Sequence, residues 1–538
     1  MEETMTTRNN YPTTGSRIGF LTAPQTAPAA VRQSPDPAAL LQFDGGEFVN
    51  FEDARHNCLV LGTTGSGKTA SIILPAAERL IAAGFGGLIV DIKGNFTGQI
   101  RAIARAHGRE KDIIELGTGP QARKINFLAG ASAQRMHDLL QQFMLCSSAS
   151  DDHNRAFHLR GLRCVVDALV MLRMMSEHDK LPMHLCVLER LMNDEEYARE
   201  CFQRFRHTIA HEANPEAHDL AQRIKGDPFH FISLGVPTSA RSSWIEQVGY
   251  RLGVIRTALQ LLRQTRNLVE QFFAPGKPPL DMARAVYRQR RIVVLRLAAD
   301  CGELGAVLAR TLLRDYYAAV YAHGLQLPEG QYTFCITDEA QDFLSVDRLD
   351  QFNDNSFLAR NREYRNISIM GTQSVAALVA RTHDAEAVEA MLNNFNVRTF
   401  FYSDDPQTQR LADMHDPTPL TTYRRGEGLL VRIDAAAGRR VYGRVSVQGM
   451  HDALQDILKN YGDHSTCTAL ACRAPSRRQL LRAAQRERAL EEAYRHPAPQ
   501  WRQRKSLTCQ PSRHAASEAE RRFPGPSLRH LPFGPDEE

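Results

Sequence analysis

Hydrophobic and polar residues along the chain predict alternating strands and helices on either side of a long central region. Short, continuous apolar runs are typical of strands that are buried on both faces of a parallel sheet. Between these runs, apolar residues recur every three or four positions, as in Ala70–Ala83, which indicates amphipathic helices. The alternation predicts an α/β fold with a doubly wound, mostly parallel sheet. The strand-like runs are HNCLVL, GGLIV, RIVVLRL, YTFCIT, NISIM and VRTFF.

The central region, from about residue 130 to residue 285, shows helical periodicity without strand-like runs. Segments such as MHDLLQQFML and FHLRGLRCVVDALVMLRMM repeat apolar residues at helical spacing. We therefore expect an all-α domain inserted into the sheet. Hairpins are expected outside it, one turning at Asp44–Gly46 and one pairing GEGLLVRI with RRVYGRVSV.

A glycine-rich stretch follows the first buried strand and precedes a helix. Its eight residues, GTTGSGKT, fit the pattern G-x-x-x-x-G-K-[ST], in which backbone N–H groups point inward at phosphate oxygens. The helix that follows directs its positive end at the same place, which favours an anion. The pattern predicts a nucleoside triphosphate site in which Lys68 reaches the β- and γ-phosphates and the Thr69 hydroxyl binds Mg²⁺. The predicted binding residues are Gly62, Thr63, Thr64, Gly65, Ser66, Gly67, Lys68 and Thr69.

Two adjacent carboxylates end the strand-like run YTFCIT. Asp338 is predicted to act on the metal side, and Glu339 to polarise the water that attacks the terminal phosphate. Adjacent strand residues point to opposite faces, so the chain must bend there if both are to serve one site. Asp91 and Lys93, after the run GGLIV, are expected at the same sheet edge, either near the phosphates or in a structural ion pair.

The strand-like run NISIM is followed by Thr372 and Gln373. It is preceded by three arginines, at 360, 362 and 365. The Gln373 amide is predicted to lie beside the γ-phosphate and to sense it. An arginine from a neighbouring subunit can stabilise the charge that develops in phosphoryl transfer. Such an arginine would make hydrolysis depend on assembly.

Composition limits the class of protein. The chain has 538 residues, which suggests two or three domains, and 43% hydrophobic with 24% charged residues is normal for a globular protein. Its ten cysteines do not form close pairs, which favours a reducing compartment. Of the net charge of +5, residues 471–538 supply +6, from 14 basic and 8 acidic residues, so the folded part has no basic excess. No apolar run approaches the roughly eighteen residues of a membrane span, so we expect a soluble chain.

Taken together, these motifs resemble the coupling-protein ATPases of type IV secretion and conjugation systems, within the wider FtsK and HerA group of ring translocases. The matching stretches lie within about Gly45–Val447 and are HNCLVLGTTGSGKT, VDIKGN, TDEAQ, and Arg362 placed eleven residues before Gln373. The resemblance implies a RecA-like P-loop fold that binds ATP and Mg²⁺ and assembles as a homohexamer around a DNA channel. It also makes Arg362 the arginine finger, Gln373 the sensor, and the all-α domain the part that faces incoming substrate.

Five regions follow from the pattern and the resemblance. They are a flexible arm (1–44), a first nucleotide-binding part (45–129), the all-α insertion (130–285), a second nucleotide-binding part (286–450) and a basic, largely disordered tail (451–538).

The partners implied by the resemblance are DNA, single-stranded or joined to a relaxase, and membrane-bound proteins of the secretion system. Coupling proteins usually carry an amino-terminal pair of membrane spans, and this sequence shows none, so we expect a cytoplasmic protein that reaches the inner membrane through partners. Two other functions stay open. One is a secretion-machine ATPase that powers pilus assembly or protein export, and the other is an ATP-gated docking platform without motor activity.

Overall fold

The structure is a computed structural model of the chain. It describes residues 39–119, 121–147, 155–211, 214–227, 230–234, 236–264, 266–298, 301–347, 350, 352–434, 439–462 and 477–496. Most of the predicted arm and much of the predicted tail therefore lie outside the described residues.

The described strands form one large sheet and one small one. The strands are β1 (Ala39–Gln42), β2 (Phe48–Asn50), β3 (Cys58–Leu61), β4 (Gly86–Asp91), β5 (Ile113–Gly117), β6 (Ile292–Arg296), β7 (Thr333–Thr337), β8 (Asn366–Thr372), β9 (Val397–Phe400), β10 (Glu427–Asp434) and β11 (Arg439–Ser446). Nine of them make the large sheet, in the order β11-β10-β9-β3-β8-β7-β4-β6-β5, and β1 pairs with β2 separately. From β9 to β5 all neighbours are parallel, whereas β10 and β11 add an antiparallel hairpin at one side of the sheet.

Helices cover both faces of the large sheet. In β3, Leu59 and Leu61 pack into one hydrophobic cluster and Cys58 and Val60 into another, because alternate residues of a strand face opposite sides. This confirms the predicted doubly wound α/β fold and explains the continuous apolar runs. The described α-helices are α1 (Phe51–Ala54), α2 (Leu74–Ala82), α3 (Thr97–Ala106), α4 (Ala133–Ser147), α5 (Arg155–Asp179), α6 (Leu185–Asn193), α7 (Glu195–Thr208), α8 (Pro215–Gly226), α9 (Arg241–Gln264), α10 (Arg266–Phe272), α11 (Gly302–His323), α12 (Asp354–Arg360), α13 (Val375–Thr382), α14 (Ala385–Leu392), α15 (Pro406–Asp413), α16 (Gln448–Tyr461) and α17 (Arg477–Arg495).

Helices α4 to α10 lie between β5 and β6 in the chain, where the sequence predicts an insertion. Helix α17, from the predicted tail, packs against α6 and α7 of this group. Tyr494 is fully buried, the Tyr197 hydroxyl donates to the Glu491 carbonyl at 2.8 Å, and Arg190 pairs with the Glu491 carboxylate at 2.7 Å. The stretch RRQLLRAAQRERALEEAYRH is compatible with a charged helix but has few large aliphatic residues, so the helix is stabilised by its contacts with distant helices. The exact domain boundaries stay predictions.

In the part of the chain that the structure describes, no helix has both the length and the apolar character that crossing a bilayer requires.

A buried network of charges joins α11 to the segment that follows β7. Arg310 is 1% exposed and binds Asp350 at 2.9 Å and Asp354 at 2.6 Å. Arg314 binds Asp350 at 3.0 Å and Asp138 of α4 at 2.9 Å. Buried charges are tolerated only when they are paired and hydrogen-bonded, so this network requires all its members.

Replacing Arg310 with Met should lower the free energy of unfolding by about 3–5 kcal/mol, because two buried carboxylates lose a cation. Urea denaturation would measure the change. As a control, Arg381→Ala removes a pair with Glu303 at the surface, at 3.2 Å, and should cost under about 1 kcal/mol. Equal effects of the two substitutions would contradict the structural role of Arg310.

Candidate functional site

The glycine-rich loop Gly62–Thr69 leaves the end of β3 and enters a helix. The first helical turn, Thr69–Ile73, is a π-helix that continues into α2. Gly67 has a φ of +108°, and a Cβ added there would lie 3.1 Å from the Ser71 hydroxyl. A side chain at this position would therefore meet both backbone strain and crowding. The loop has the strand, turn and helix context that its pattern predicts.

Lys68 lies under this loop and is 5% exposed. Its ammonium donates to the carbonyl oxygens of Gly62 at 2.6 Å and Thr63 at 3.3 Å. Burial lowers the pKa of Lys68, and the negative charges of Glu339 and Asp338 oppose this shift. The side chain is held by two neutral acceptors, so a phosphate oxygen would give it a stronger, charged partner.

The sheet order brings the other predicted groups to the same edge. Strand β8 lies between β3 and β7, and β4 lies on the far side of β7. Because these strands are parallel, their carboxyl ends meet at one edge, where ligands bind in open α/β sheets. The edge gathers the residues that follow the four strands, which are the loop 62–69 after β3, Gln373 after β8, the carboxylates after β7, and Lys93 after β4.

Asp338 contacts the glycine-rich loop directly. Its Oδ2 accepts from the Thr69 hydroxyl at 2.7 Å, and its Oδ1 accepts from the Glu339 backbone N–H at 3.0 Å. Burial raises the pKa of Asp338, and the hydrogen bond from Thr69 opposes that shift. A hydroxyl and a carboxylate oxygen at this spacing are hard oxygen donors of the kind that Mg²⁺ prefers. The pair predicted from the sequence fits that ion.

Glu339 takes the left-handed backbone conformation, with a φ of +55°. This is the bend that two adjacent carboxylates need in order to serve one site. One oxygen of Glu339 accepts from the Lys93 ammonium at 2.6 Å, and the other accepts from the side-chain amides of Gln373, at 2.9 Å, and Gln341. Burial alone would raise the pKa of Glu339, but these hydrogen bonds outweigh it and the pKa lies below the usual value. The group is therefore held as a carboxylate.

Lys93 and Gln341 are partners that sequence reasoning did not assign to Glu339. Lys93 was expected near the phosphates or in a structural ion pair, and it pairs with Glu339. Gln341 also accepts from the Thr372 hydroxyl at 2.8 Å and so joins the segment after β7 to β8. Asp91 has a different task, because its carboxylate accepts from the backbone N–H groups of 95, 96 and 97 and from the Thr97 hydroxyl. It fixes the turn that carries Lys93, so the structure favours a structural role for Asp91.

A pocket of about 350 Å³ opens among these groups. Arg425 also lines it, in a turn where the Gly426 N–H donates to the Ser66 carbonyl at 3.3 Å. Sequence reasoning missed Arg425, whose only signal was a basic pair before a glycine. The other lining side chains that matter here are Lys68, Thr69, Lys93, Asp338 and Glu339.

Arg362 lies elsewhere in the chain's own fold. It is exposed, in a 3₁₀ turn (Asn361–Tyr364) that precedes β8, whereas Gln373 follows β8. Strand β8 has seven residues and spans about 20 Å at roughly 3.3 Å per residue. Arg362 and Gln373 therefore lie at opposite ends of this strand. The guanidinium of Arg365 donates to the Leu327 carbonyl and has a local structural role. The structure thus unites the predicted site residues except Arg362.

No protein-family model matches this chain, and no curated protein matches it by sequence. The structure, in contrast, is similar to solved structures of the plasmid coupling protein TrwB. The complex with ADP and Mg²⁺ gives a TM-score of 0.52 at 12% identity, and the complex with the non-hydrolysable ATP analogue ADPNP gives 0.51 at 13%. Each comparison covers 77% of this chain and 90% of the other. The unbound bacterial conjugative coupling protein TrwBdeltaN70 gives 0.51 at 12% identity, with the same coverage.

At this level of identity the likeness concerns the fold. The fold expected from the resemblance to coupling-protein ATPases is therefore confirmed. The structural match extends over most of both chains.

Proposed function

We propose that this protein is an ATP-hydrolysing motor of a type IV secretion or conjugation system, which works as a homohexamer and drives DNA, or a relaxase–DNA complex, into the secretion channel. The observation that carries the proposal is the convergence of Lys68, the Thr69–Asp338 pair and Glu339 on one pocket. ATP is the substrate and Mg²⁺ the cofactor that these groups suit. The similar TrwB structures were solved with ADP and Mg²⁺ and with ADPNP, which supports this choice.

Each group at the pocket has a separate task in phosphoryl transfer. Lys68 exchanges its two carbonyl partners for phosphate oxygens, and the N–H groups of the loop hold the phosphates in place. Thr69 and Asp338 would hold Mg²⁺, and the ion would supply positive charge that offsets the charge of the phosphates. Glu339, kept ionised by its partners, orients and polarises the attacking water.

In the proposed cycle Gln373 senses the γ-phosphate. Its side-chain amide donates to the Glu339 carboxylate in the structure, and from this position it would also contact a bound γ-phosphate. Strand β8 joins this amide to the turn that carries Arg362, so the strand links the pocket of one subunit to the surface offered to the next. Hydrolysis at each pocket would then depend on the neighbouring subunit.

The cargo could instead be a polypeptide, as in ATPases that power pilus assembly or protein export. An ATP-gated docking platform without turnover is less well supported, since a pure switch has little use for an ionised Glu339 at the pocket. Contact with the inner membrane is assigned to partner proteins of the secretion system, with the protein itself in the cytoplasm.

The central test is ATP turnover with and without single- and double-stranded DNA. We expect DNA to stimulate turnover at low salt and the stimulation to fall as salt rises, since phosphate contacts weaken with ionic strength. Lys68→Ala should abolish turnover in all conditions. If DNA leaves the rate of ATP turnover unchanged and no DNA binding is detected at low salt, the DNA motor is excluded. Crosslinking would then show whether polypeptide is the cargo, and nucleotide-dependent oligomers without turnover would indicate the docking platform.

Arg362→Ala should abolish turnover in the pure variant, because each pocket then lacks its neighbour's guanidinium. Mixed with equal Lys68→Ala protein, it should recover roughly a quarter of the wild-type rate, since random assembly pairs an intact pocket with an intact arginine at that frequency. Arg360→Ala, an exposed arginine beside it, is the control and should keep full activity. No recovery on mixing would contradict the shared site.

Lys93→Met should lower kcat about 10- to 100-fold with little change in KM for ATP, because Glu339 loses the partner that orients it. The acid limb of the pH–rate profile should also move to higher pH, since the Lys93 hydrogen bond lowers the pKa of Glu339. Lys124→Met, which breaks an exposed pair with Glu270, should change neither quantity. An unshifted acid limb would contradict the positioning role of Lys93.

A further inference from the structure

A second cluster of chemically active side chains lies among the inserted helices, away from the pocket. Cys164 lies on α5, Asp227 comes directly after α8, and His230 follows in the next loop. The Sγ of Cys164, a carboxylate oxygen of Asp227 and a ring nitrogen of His230 all lie within 4.8 Å of one another. Soft sulfur, imidazole and carboxylate together are a donor set that binds zinc and similar transition metals.

The buried side chain of His230 indicates that this cluster binds a ligand. Its side chain is 3% exposed, and neither ring nitrogen makes a hydrogen bond. Nε2 lies 3.3 Å from Asp167 Oδ2 without the alignment of a hydrogen bond, and Nδ1 lies 3.6 Å from Asp227 Oδ2. Burying a ring nitrogen without a hydrogen bond is costly, and a cation placed between Nδ1 and Asp227 would remove that cost at Nδ1.

We propose that Cys164, Asp227 and His230 form a binding site for Zn²⁺ or a transition-metal ion of similar preference, with Asp167 as the carboxylate that orients the histidine. Nδ1 would bind the metal while Nε2 faces Asp167, which is the usual carboxylate–histidine–metal arrangement. The separation of 3.6 Å between Nδ1 and Asp227 Oδ2 is close to the roughly 3.3 Å between two nitrogen or oxygen ligands on tetrahedral zinc. A water would complete four-coordination.

The surrounding charges permit a divalent ion. Arg251 lies 3.7 Å from Asp227 Oδ2, and Arg223 lies 3.2 Å from Asp167 Oδ1. With Cys164 as the thiolate, three negative and two positive groups leave one net negative charge for the metal. Burial raises the pKa of the Cys164 thiol to about 11, so the metal must displace its proton on binding. Because α5 would then be tied to the loop after α8, binding should stabilise the inserted helices.

The test is a titration of chelator-treated full-length protein with Co²⁺, with excess Mg²⁺ present to occupy the oxygen site at Thr69 and Asp338. We expect a single Co²⁺ ion per chain, with the thiolate-to-cobalt charge-transfer band in the near ultraviolet, and displacement of Co²⁺ by Zn²⁺. Zn²⁺ should also raise the thermal unfolding temperature. These readouts do not involve ATP turnover, so failure of the metal site and failure of the proposed motor are distinguishable.

Variants separate ligands from neighbours. Cys164→Ser should abolish the charge-transfer band, and Asp167→Asn should keep it but weaken binding about 10- to 100-fold. Cys186→Ser, at another buried cysteine, is the matched control and should leave both band and affinity unchanged. If circular dichroism shows that Cys164→Ser does not fold, His230→Gln in the loop decides, with loss of tight binding expected. Absence of the band in the wild-type protein, or its survival in folded Cys164→Ser, would overturn the proposal.

Discussion

The hydrogen bond between the Thr69 hydroxyl and Asp338 joins two segments that are 269 residues apart in the chain. It forms because β3 and β7 run parallel with only β8 between them, so the turns that follow them meet at one sheet edge. Gly371 in β8 makes this approach possible, since a Cβ there would lie 2.7 Å from Asp338 Oδ1. The sheet and its glycine together bring the Thr69 hydroxyl and the Asp338 carboxylate into contact, and the other lining residues of the pocket lie around them.

The adjacent carboxylates that follow β7, Asp338 and Glu339, have different surroundings. Asp338 is buried beside a hydroxyl and a backbone N–H, and burial raises its pKa. Glu339 is also partly buried, but a lysine and two amides lower its pKa. The left-handed conformation of Glu339 is a local strain of the kind found at functional sites. It directs the two neighbouring carboxylates to different partners, Asp338 to the Thr69 hydroxyl and Glu339 to the Lys93 ammonium.

The segment that leaves this site is anchored by the buried charges of α11. Asp350 and Asp354 bind Arg310, and Asp350 also accepts from Gln142 of α4 at 3.2 Å. The chain that follows Glu339 is thereby attached both to the helix behind the sheet and to the first inserted helix. Removal of one charge from such a network would leave the others unpaired, so the attachment depends on all its members.

Most strands and helices and much of the pocket follow from the order of the amino acids alone. Apolar runs of four to six residues require burial on both faces, and the pattern from Gly62 to Thr69 needs only local geometry to bind phosphate. The amino-acid order also predicted that Asp338, Glu339 and Gln373 each follow a strand and serve one pocket. The packing of the fold was needed to show that Lys93 binds Glu339, that α17 packs on α6 and α7, and that Cys164 meets His230. These contacts join residues far apart in the chain, and their geometry depends on how strands and helices pack, which no spacing along the sequence records.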